Sequence, residues 1–468
     1  MIVRSSKFLL ILFAAIFLGG VLVVTFSLWR LSKGPVSVNF ITPYIEESLS
    51  RQTKNIDVRL KHTVLTWAGL ERDIDLRALD LTIFDKEGAA IATVPELSLQ
   101  LSLRALLRGV VAPKELEIFE PRLQIKRARS GQVAIGINKI SSETKTEFSD
   151  VGWLADFFHK RGADSNSNYL RRLTINNALV EFEDLKSGYK WKTQPTDINL
   201  ESINNSINLT SRSILIFDSG VSEIKISAIK NPNQDLTDVI FSFENLSPEM
   251  LATLDPRLNN LKRLKVPVSG SLSMSIRDTL DIENITFDLS GGKGEILAKE
   301  FFIDPLSVHN FLFRGEVDGS FNKLLVDRAL INFNGPIAEI SGDVIRLDSS
   351  IKMKLNGRLA ELSMNRVADL WPESVASISR KWIIRNIKDG FIDTATFSLN
   401  ALTDLEDLED ISISKAQGEL ELKEAYVHYL RPMKPLKLSK SKGYYDGKKL
   451  IFDIDNGSIG NIEIVSGE

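Results

Sequence analysis

The feature that most constrains the fold of this chain is an alternation of apolar and polar side chains that recurs along most of its length. Residues 265–277 (KVPVSGSLSMSIR) place valine, leucine, methionine and isoleucine on one parity and serine on the other. Residues 97–103 (LSLQLSL) and 351–355 (IKMKL) alternate in the same way. Because successive side chains of a strand point to opposite faces, this pattern predicts strands with one apolar and one polar face, as in antiparallel sheets.

A second feature is a one-residue slip in this alternation. In residues 73–85 (DIDLRALDLTIFD), Leu76 is followed by apolar residues at positions 79, 81 and 83, so the apolar set changes face. The same spacing recurs at 118–125, 175–182, 282–289, 326–333 and 422–429. We interpret it as a degenerate repeat of strand, bulge or corner, and strand, which would curl the sheet. Chance is the alternative, because the template is short.

The N-terminal segment predicts a membrane anchor. Residues 8–29 (FLLILFAAIFLGGVLVVTFSLW) carry no charge, and at ~1.5 Å per residue they cross the ~30 Å hydrocarbon core of a bilayer. A cleaved signal peptide is the alternative, but the run is long and ends in the bulky residues Leu28 and Trp29. Arg4 and Lys7 precede the run, which favours a cytoplasmic N-terminus with the rest of the chain across the membrane.

Helical patterns are few in the remainder of the chain. They occur at 41–52, at 150–162 and at 365–390, where Pro372 should break or kink the helix. The expected segments are an anchor (1–34), a first β module (35–140), a helix and linker (141–168), repeated β-structure (169–360), a helical element (361–390) and further β-repeats (391–468). The last segment ends in mid-pattern, so we expect the sheet to continue beyond residue 468.

The composition and the sequence motifs indicate no catalytic group and no metal-binding site. Lys and Arg (58) nearly balance Asp and Glu (61), for a net charge of −3, which gives no nucleic-acid footprint. There is no cysteine, and the four histidines lie far apart in sequence. Residues 453–463 (DIDNGSIGNIE) loosely match a calcium loop, but Gly457 comes one position early and Asn456-Gly457 is typical of a hairpin turn. We therefore predict no catalytic residue, no metal, no cofactor and no enzymatic activity.

Three stretches carry a resemblance to a known family. Residues 56–136 contain Trp67, DLTIFDKEGAAIATVPELSLQLSLRALLRG and LEIFEPRLQIKRARSGQVAIG, and this region resembles the N-terminal module of the AsmA-like proteins of Gram-negative envelopes. Residues 369–399 (DLWPESVASISRKWIIRNIKDGFIDTATFSL) are similar to the characteristic region of the YhdP-type branch. Residues 426–460 resemble that branch too, although RPMKP at 431–435 is more basic than its pattern.

The resemblance implies a mainly β fold, in which a transmembrane helix is followed by an elongated, curved, repetitive antiparallel sheet forming an open groove, with a few short helices. It also implies a bridge-like lipid-transfer protein that is anchored in the bacterial inner membrane through residues 8–29. The bulk of the chain would lie in the periplasm and carry phospholipid between inner and outer membranes in support of outer-membrane lipid homeostasis, with outer-membrane or envelope proteins as further partners.

The alternating strands supply the groove candidates. Helical sequence is too short to cover the apolar face of so many strands, so part of that face should line a groove. The candidate lipid-contacting residues are Leu97, Leu99, Leu101, Val268, Leu272, Met274, Ile351, Met353 and Leu355. One alternative is a structural or assembly scaffold with a closed apolar core, like the TamB-type relatives. A second alternative, a periplasmic hydrolase, is disfavoured by the scattered histidines.

Overall fold

The fold is described from a computed structural model of the chain. The described residues are 17–22, 25–26, 29–52, 56–66, 75–85, 88, 90–102, 113–127, 133–135, 170–185, 188, 190–203, 206–217, 220–231, 234–254, 256–279, 281–299, 302–373, 377–405 and 411–468. The predicted helix at 150–162 and the linkers at 141–149 and 160–168 lie outside these ranges. The structure is 65% strand and 14% helix, and its sheet structure is mostly antiparallel and not closed. The prediction of a mainly β fold is therefore confirmed.

The strands are β1 (Val36–Ser37), β2 (Ile56–Arg59), β3 (His62–Thr66), β4 (Asp75–Asp85), β5 (Ala90–Leu101), β6 (Pro113–Phe119), β7 (Arg122–Arg127), β8 (Val133–Ile135), β9 (Arg172–Asp184), β10 (Lys190–Lys192), β11 (Thr196–Ile203), β12 (Ser206–Phe217), β13 (Gly220–Lys230), β14 (Leu236–Leu246), β15 (Leu264–Lys265), β16 (Val268–Arg277), β17 (Ile282–Gly291), β18 (Gly294–Ile296), β19 (Leu306–Val308), β20 (Asn310–Asp318), β21 (Lys323–Asn332), β22 (Ile337–Arg346), β23 (Ser350–Ser363), β24 (Ile387–Lys388), β25 (Phe391–Asp404), β26 (Ile411–Val427), β27 (Leu436–Tyr445), β28 (Leu450–Ile459) and β29 (Ile462–Ile464). The helices are Thr42–Gln52, Pro248–Leu254, Val367–Leu370 and Ser377–Asn386, with short 3₁₀ segments at Asn39–Ile41, Pro256–Arg263 and Met364–Arg366.

The chain divides into two compact units. The first comprises 1–216 and 229–233, and the second comprises 217–228 and 234–468. In the first unit β4 pairs with β2, β3 and β5, and β5 pairs in turn with β6 and β7. Strand β9 runs parallel to β6 and β7 and antiparallel to β10 and β11, and β11 pairs with β12.

In the first unit, helix Thr42–Gln52 packs on the apolar side of the sheet. The predicted helix at 41–52 is therefore confirmed. Its Ile45 contacts a buried cluster formed by Val58, Leu60, Ala78, Leu81, Val94 and Leu97. The side-chain hydroxyls of Thr42 and Thr63 share a buried hydrogen bond of 2.8 Å beneath the helix. This part of the apolar face is therefore a closed core.

The slip seen in the sequence at 73–85 is a bend shared by neighbouring strands, and we call it the crease (Asp80, Glu120 and Asn177). All three residues are exposed and have left-handed backbone conformations, with φ of 54°, 49° and 56°. No residue is inserted at Asp80, because Leu79 pairs with Glu96 and Leu81 with Val94, in one unbroken register. Of the predicted bulge or corner, the structure therefore has a corner at this position.

The crease also changes which residue before the bend points to the apolar face: it is Ala78 and not, as predicted, Leu79. Ala78 and Leu81, on either side of the bend, are buried, whereas Leu79 is only half-buried. The side chains on the apolar face therefore have even numbers up to Ala78 and odd numbers from Leu81 onwards. The sequence had placed this change between 76 and 79. The partner strand changes parity at the same level, around Pro95, because both Val94 and Leu97 are buried. Strands β4 and β5 bend at the same level and keep their pairing there. At Asn177, in contrast, β9 carries one extra residue relative to β11, so the predicted bulge is present at that position of the crease.

The second unit is an antiparallel sheet in which most strands pair with the next one along the chain, from β14 and β16 through β17, β20, β21, β22, β23, β25, β26, β27 and β28 to β29. Strands β15, β18 and β19 form a small separate sheet. Asp318 and Asp446 accept backbone hydrogen bonds in the turns of two hairpins, β20–β21 and β27–β28. The backbone N–H groups of Lys449 and Lys448 donate to Asp446 at 2.7 and 2.8 Å, and they hold the pKa of this carboxyl below its ordinary value.

The predicted helical element at 361–390 packs at one end of the strands of the second unit. It is divided into Val367–Leu370 and Ser377–Asn386, as expected from Pro372. Val367, Ile383 and Ile387 are buried together with Leu422 and Leu438 of the sheet. The element therefore closes a local core.

Two further sequence predictions can be compared with the structure. Asn456 and Gly457 were expected in a hairpin turn, but both lie inside β28, and the turn follows at Gly460, with φ of 60°. This prediction was wrong because β28 passes the Asn-Gly pair with a shift of register against β27 and does not turn there. At the N-terminus, residues 17–22, 25–26 and 29–32 are helical, whereas 1–16 fall outside the described residues. Among the described residues, no helix is both long enough and apolar enough to span a bilayer.

Candidate functional site

The candidate site is the apolar face of the sheet in the second unit. Strand register aligns apolar side chains in a row that runs across the sheet from β14 to β26, perpendicular to the strands. Its members, each paired with the next, are Val239, Met274, Ile285, Val317, Leu324, Val344, Met353, Ala401 and Ile413. None of them is polar.

Further rows lie beside the first on the same face. The second row consists of Phe241, Leu272, Phe287, Gly315, Val326, Gly342, Leu355, Leu399 and Ala416. The third runs through Phe243, Gly270, Leu289, Phe313, Ala329, Ile340, Gly357, Phe397, Gly418, Tyr445 and Leu450, and the fourth through Leu246, Val268, Gly291, Phe311, Ile331, Ala338, Leu359, Ala395, Leu420, Gly443 and Phe452. Tyr445 carries the only polar side-chain atom in these four rows.

The exposure of the rows shows which part of the face is covered. In the first row every side chain except Ala401 is half-buried, so most of the row is neither sealed nor fully exposed. Buried side chains that pack with helical residues lie towards the fourth row and beyond it, at Leu246 and Val268 beside Leu251, and at Leu362, Ile392 and Leu422 beside the 364–387 element. The helices therefore close one margin of the apolar face.

The opposite face of the same strands is polar. Arg314 pairs with Asp288 at 2.9 Å and Arg328 with Glu339 at 2.7 Å, both between neighbouring strands and both well exposed. Lys423 pairs with Asp393 at 2.8 Å, and this hydrogen bond raises the pKa of the lysine. Water screens exposed ion pairs of this kind, so they contribute little to the stability of the fold.

Glycine and phenylalanine face one another across the strands of the apolar face. Phe287 pairs with Gly315, Phe311 with Gly291 and Phe397 with both Gly357 and Gly418. A Cβ atom at Gly291 or Gly357 would lie about 2 Å from a ring atom of Phe311 or Phe397. The rings therefore lie over the bare backbone of the partner strand and cover it where a side chain is missing.

The structure brings most of the predicted groove residues together. Val268, Leu272, Met274, Met353 and Leu355 belong to the rows just described, and Ile351 lies on the same side of β23 as Met353, opposite Thr403. Leu97, Leu99 and Leu101 lie in the first unit. Leu99 continues an apolar row of that sheet formed by Val36, Leu65, Leu76, Leu99, Leu116, Leu173, Leu200 and Leu209.

Two of the nine predicted residues lie in closed clusters. Val268 is 8% exposed and packs with Phe243 and Leu246. Leu97 is part of the closed cluster beneath helix Thr42–Gln52 and is 9% exposed, whereas Leu99 and Leu101 are half-buried. Sequence reasoning also missed the phenylalanines of β20, Phe311 and Phe313. Their strand reads FLFRGEVD at 311–318, and its Gly315 occupies an apolar-parity position. A glycine where the alternation calls for an apolar side chain indicates an aromatic ring on a neighbouring strand. Gly315 was therefore the sequence feature that could have identified β20 as part of the apolar face.

The described residues hold no cluster of three or more His, Asp or Glu side chains that could bind a metal ion. The four rows offer apolar contact surface without a charged side chain. In comparisons with known proteins, no family model, no curated protein and no solved structure matches this chain.

Proposed function

We propose that this protein carries phospholipid, with the acyl chains lying along the apolar rows of the sheet and the headgroups in water. The observation that carries the proposal is the uninterrupted first row, which runs from Val239 to Ile413 and is half-buried over nearly all its length. Each methylene group removed from water contributes ~0.8 kcal/mol. A strand spacing of ~4.8 Å makes this row roughly 40 Å long.

The cellular setting belongs to the same proposal. Residues 8–29 anchor the chain in the bacterial inner membrane as a single span, and the bulk lies in the periplasm as an elongated, curved, repetitive β-groove. The supports are the uncharged run in the sequence, the bends at the crease, and the stated resemblance to AsmA-like proteins of the YhdP type. Transfer of lipid between inner and outer membranes would then maintain the lipid content of the outer membrane.

The second candidate function is an assembly scaffold whose apolar face is a closed core. The buried clusters under helix Thr42–Gln52 and under the 364–387 element favour it, because there the face is sealed. The two functions differ in their requirement for the first and second rows. A conduit needs these rows accessible to lipid, whereas a scaffold needs only their packing.

Photo-crosslinking in living cells tests the proposal. A photo-reactive residue in place of Leu272 or Met353 should capture phospholipid, detected by mass spectrometry of the purified adduct. Matched positions one residue away on the opposite face, Ser271 and Lys354, should give none.

A charge in the rows separates the two candidate functions. Leu272→Asp places a carboxylate on a half-buried, open face where it can still reach water. We expect the protein to keep its circular dichroism spectrum while lipid capture at residue 353 falls several-fold. Loss of the folded spectrum, together with no lipid adduct at any position, would instead establish the closed core of a scaffold.

A further inference from the structure

Helix Ser377–Asn386 exposes an unusual stripe of side chains to solvent. Ile378, Lys381, Trp382 and Arg385 are all exposed, and their spacing of three, one and three residues places them on one face of the helix. Ile378 is 85% exposed and Trp382 is 39% exposed. The inward face of the helix carries Ile383 and Ile384, which pack in the buried cluster that includes Leu422 and Leu438. A surface helix normally keeps its outer face polar, so the isoleucine and the tryptophan need another explanation.

A neighbouring loop adds to this surface. The backbone N–H of His428 donates to the carbonyl oxygen of Asn386 at 2.8 Å, so the loop that follows β26 begins where the helix ends. In this loop Tyr429, Leu430 and Met433 are exposed. Two adjacent segments of the second unit therefore present large apolar side chains to solvent, and we call them together the 378/433 surface (residues 377–388 and 428–437).

The charge of the 378/433 surface has a single sign. Residues 377–388 contain Arg380, Lys381, Arg385 and Lys388, residues 428–437 contain Arg431, Lys434 and Lys437, and neither segment contains Asp or Glu. The whole chain, in contrast, carries a net charge of −3. The nearest carboxylates in sequence, Glu373 and Asp389, flank the helix, and Glu373 pairs with Arg380 at 3.7 Å.

Most of these cations are not used inside the protein. Arg380 donates to the carbonyl oxygens of Trp371 and Ala368, and Lys388 donates to that of Ile384. Lys381, Arg385, Arg431 and Lys434 are exposed and make no ion pair within the described part of the chain. Exposed Trp and Ile beside free cations form the combination that binds the interface of a bilayer with anionic lipids, where apolar groups enter the acyl boundary and cations meet phosphates.

We propose that the 378/433 surface docks onto an anionic phospholipid bilayer, with Ile378 and Trp382 at the interface and Lys381 and Arg385 against lipid phosphates. The inference stands on the exposure and charge of this surface alone and does not require that the sheet carry acyl chains. It gives the second unit a membrane contact that is separate from the N-terminal segment.

The absence of cysteine makes a clean experiment available. The full chain is placed in phosphatidylcholine nanodiscs as an Ile378→Cys variant labelled with an environment-sensitive nitrobenzoxadiazole dye. Vesicles of phosphatidylcholine, alone or mixed with phosphatidylglycerol, are then added. With the mixed vesicles the emission should rise several-fold, shift to the blue, and be quenched by a spin-labelled lipid. The control is Ile303→Cys, at a residue of the same unit and matched exposure (86%), whose emission should not change.

Charge reversal completes the test. Lys381→Glu combined with Arg385→Glu in the labelled protein should abolish the rise, whereas the matched pair Lys352→Glu and Lys354→Glu, exposed on the sheet, should leave it intact. No change at residue 378 with anionic vesicles overturns the proposal. An equal change at residue 303, or an equal change with the neutral vesicles, overturns it as well. Because lipid capture at residues 272 and 353 is measured separately, failure of this proposal is distinguishable from failure of the lipid conduit.

Discussion

At the scale of single residues, the bends of the strands depend on non-glycine residues in the left-handed region. Besides the crease of the first unit, Asn245, Glu361 and Glu424 of the second unit have φ of 54°, 59° and 54°. All three are exposed, and each is followed by a residue with an exposure of 2% or less, namely Leu246, Leu362 and Ala425. Burial of the following side chain holds these residues in a conformation that costs about 1–2 kcal/mol.

Substitutions at Glu424 should report that strain. Asparagine tolerates the left-handed region better than glutamate, so Glu424→Asn should raise the free energy of unfolding by about 0.5 kcal/mol. Valine tolerates it least, so Glu424→Val should lower that free energy by ~1–2 kcal/mol. Urea denaturation followed by circular dichroism measures both effects.

The control for this prediction lies on the same strand. Glu419 is exposed within β26 and has no left-handed backbone. Valine suits such a strand position, so Glu419→Val should change the stability by less than about 0.5 kcal/mol. Equal losses for the two valine variants would show that strand context, and not backbone strain, governs position 424.

The sequence predicted that bends exist but not where each one falls. The slip at 73–85 was visible, yet Leu79 was placed on the apolar face because its side chain is large, while Ala78 was overlooked because it is small. In the structure Ala78 is buried and Leu79 is half-buried. The backbone angle of Asp80 decides the outcome, and side-chain hydrophobicity carries no information about that angle.

At the scale of elements, aromatic rings on strands of the second unit lie over glycine residues of the neighbouring strands. A Cβ atom at Gly315 would lie 2.1 Å from the carbonyl oxygen of Leu325 and 2.7 Å from the ring of Phe287. Backbone and ring both approach closely there. The glycine therefore permits the close contact of β20 with its two neighbours.

An alanine at this site should be costly. Gly315→Ala forces the ring and the strand apart, and overpacking of this kind typically costs 1–3 kcal/mol. The matched control is Gly292→Ala, because nothing lies within 4 Å of a Cβ atom at that position. It should leave the urea midpoint nearly unchanged. Equal midpoints for the two variants would contradict a role of the Gly315 site in strand packing.

The prediction of helices succeeded where the signal in the sequence lay within a few residues of the element. The helix at 41–52 and the break at Pro372 were predicted correctly, because helical spacing and proline act within a few residues. The helical spacing at 365–390 included Ile378 and Trp382, yet the structure buries Ile383 and Ile387 and exposes those two. The helix contains apolar residues on both faces, so the pattern could not decide which face the sheet covers.

At the scale of the whole molecule, the apolar rows became visible only through strand register. The prediction of one-sided strands was correct, but which strands align depends on contacts between distant residues. The parallel pairing of β6 with β9 is an example, since it joins Leu116 to Leu173 across a long connection. Hydrophobic periodicity describes each strand separately and does not encode such a partner.

The predicted anchor has a test at this scale. A reporter that is active only in the periplasm, fused after residue 140, should be active in a Gram-negative host, and the fusion should resist alkaline extraction from membranes. A fusion that lacks residues 1–34 should be inactive, because nothing then directs it across the membrane. Release of a shortened mature chain by signal peptidase would refute the anchor.

The order of strands in the second unit has a consequence for how the chain folds. From β20 to β23, and again from β25 to β28, each strand pairs with the strand that follows it along the chain. Few contacts there must wait for distant residues, which favours rapid folding. Hairpins can therefore add one at a time as the polypeptide leaves a ribosome or a translocation channel, and each new strand finds the edge of its partner already formed.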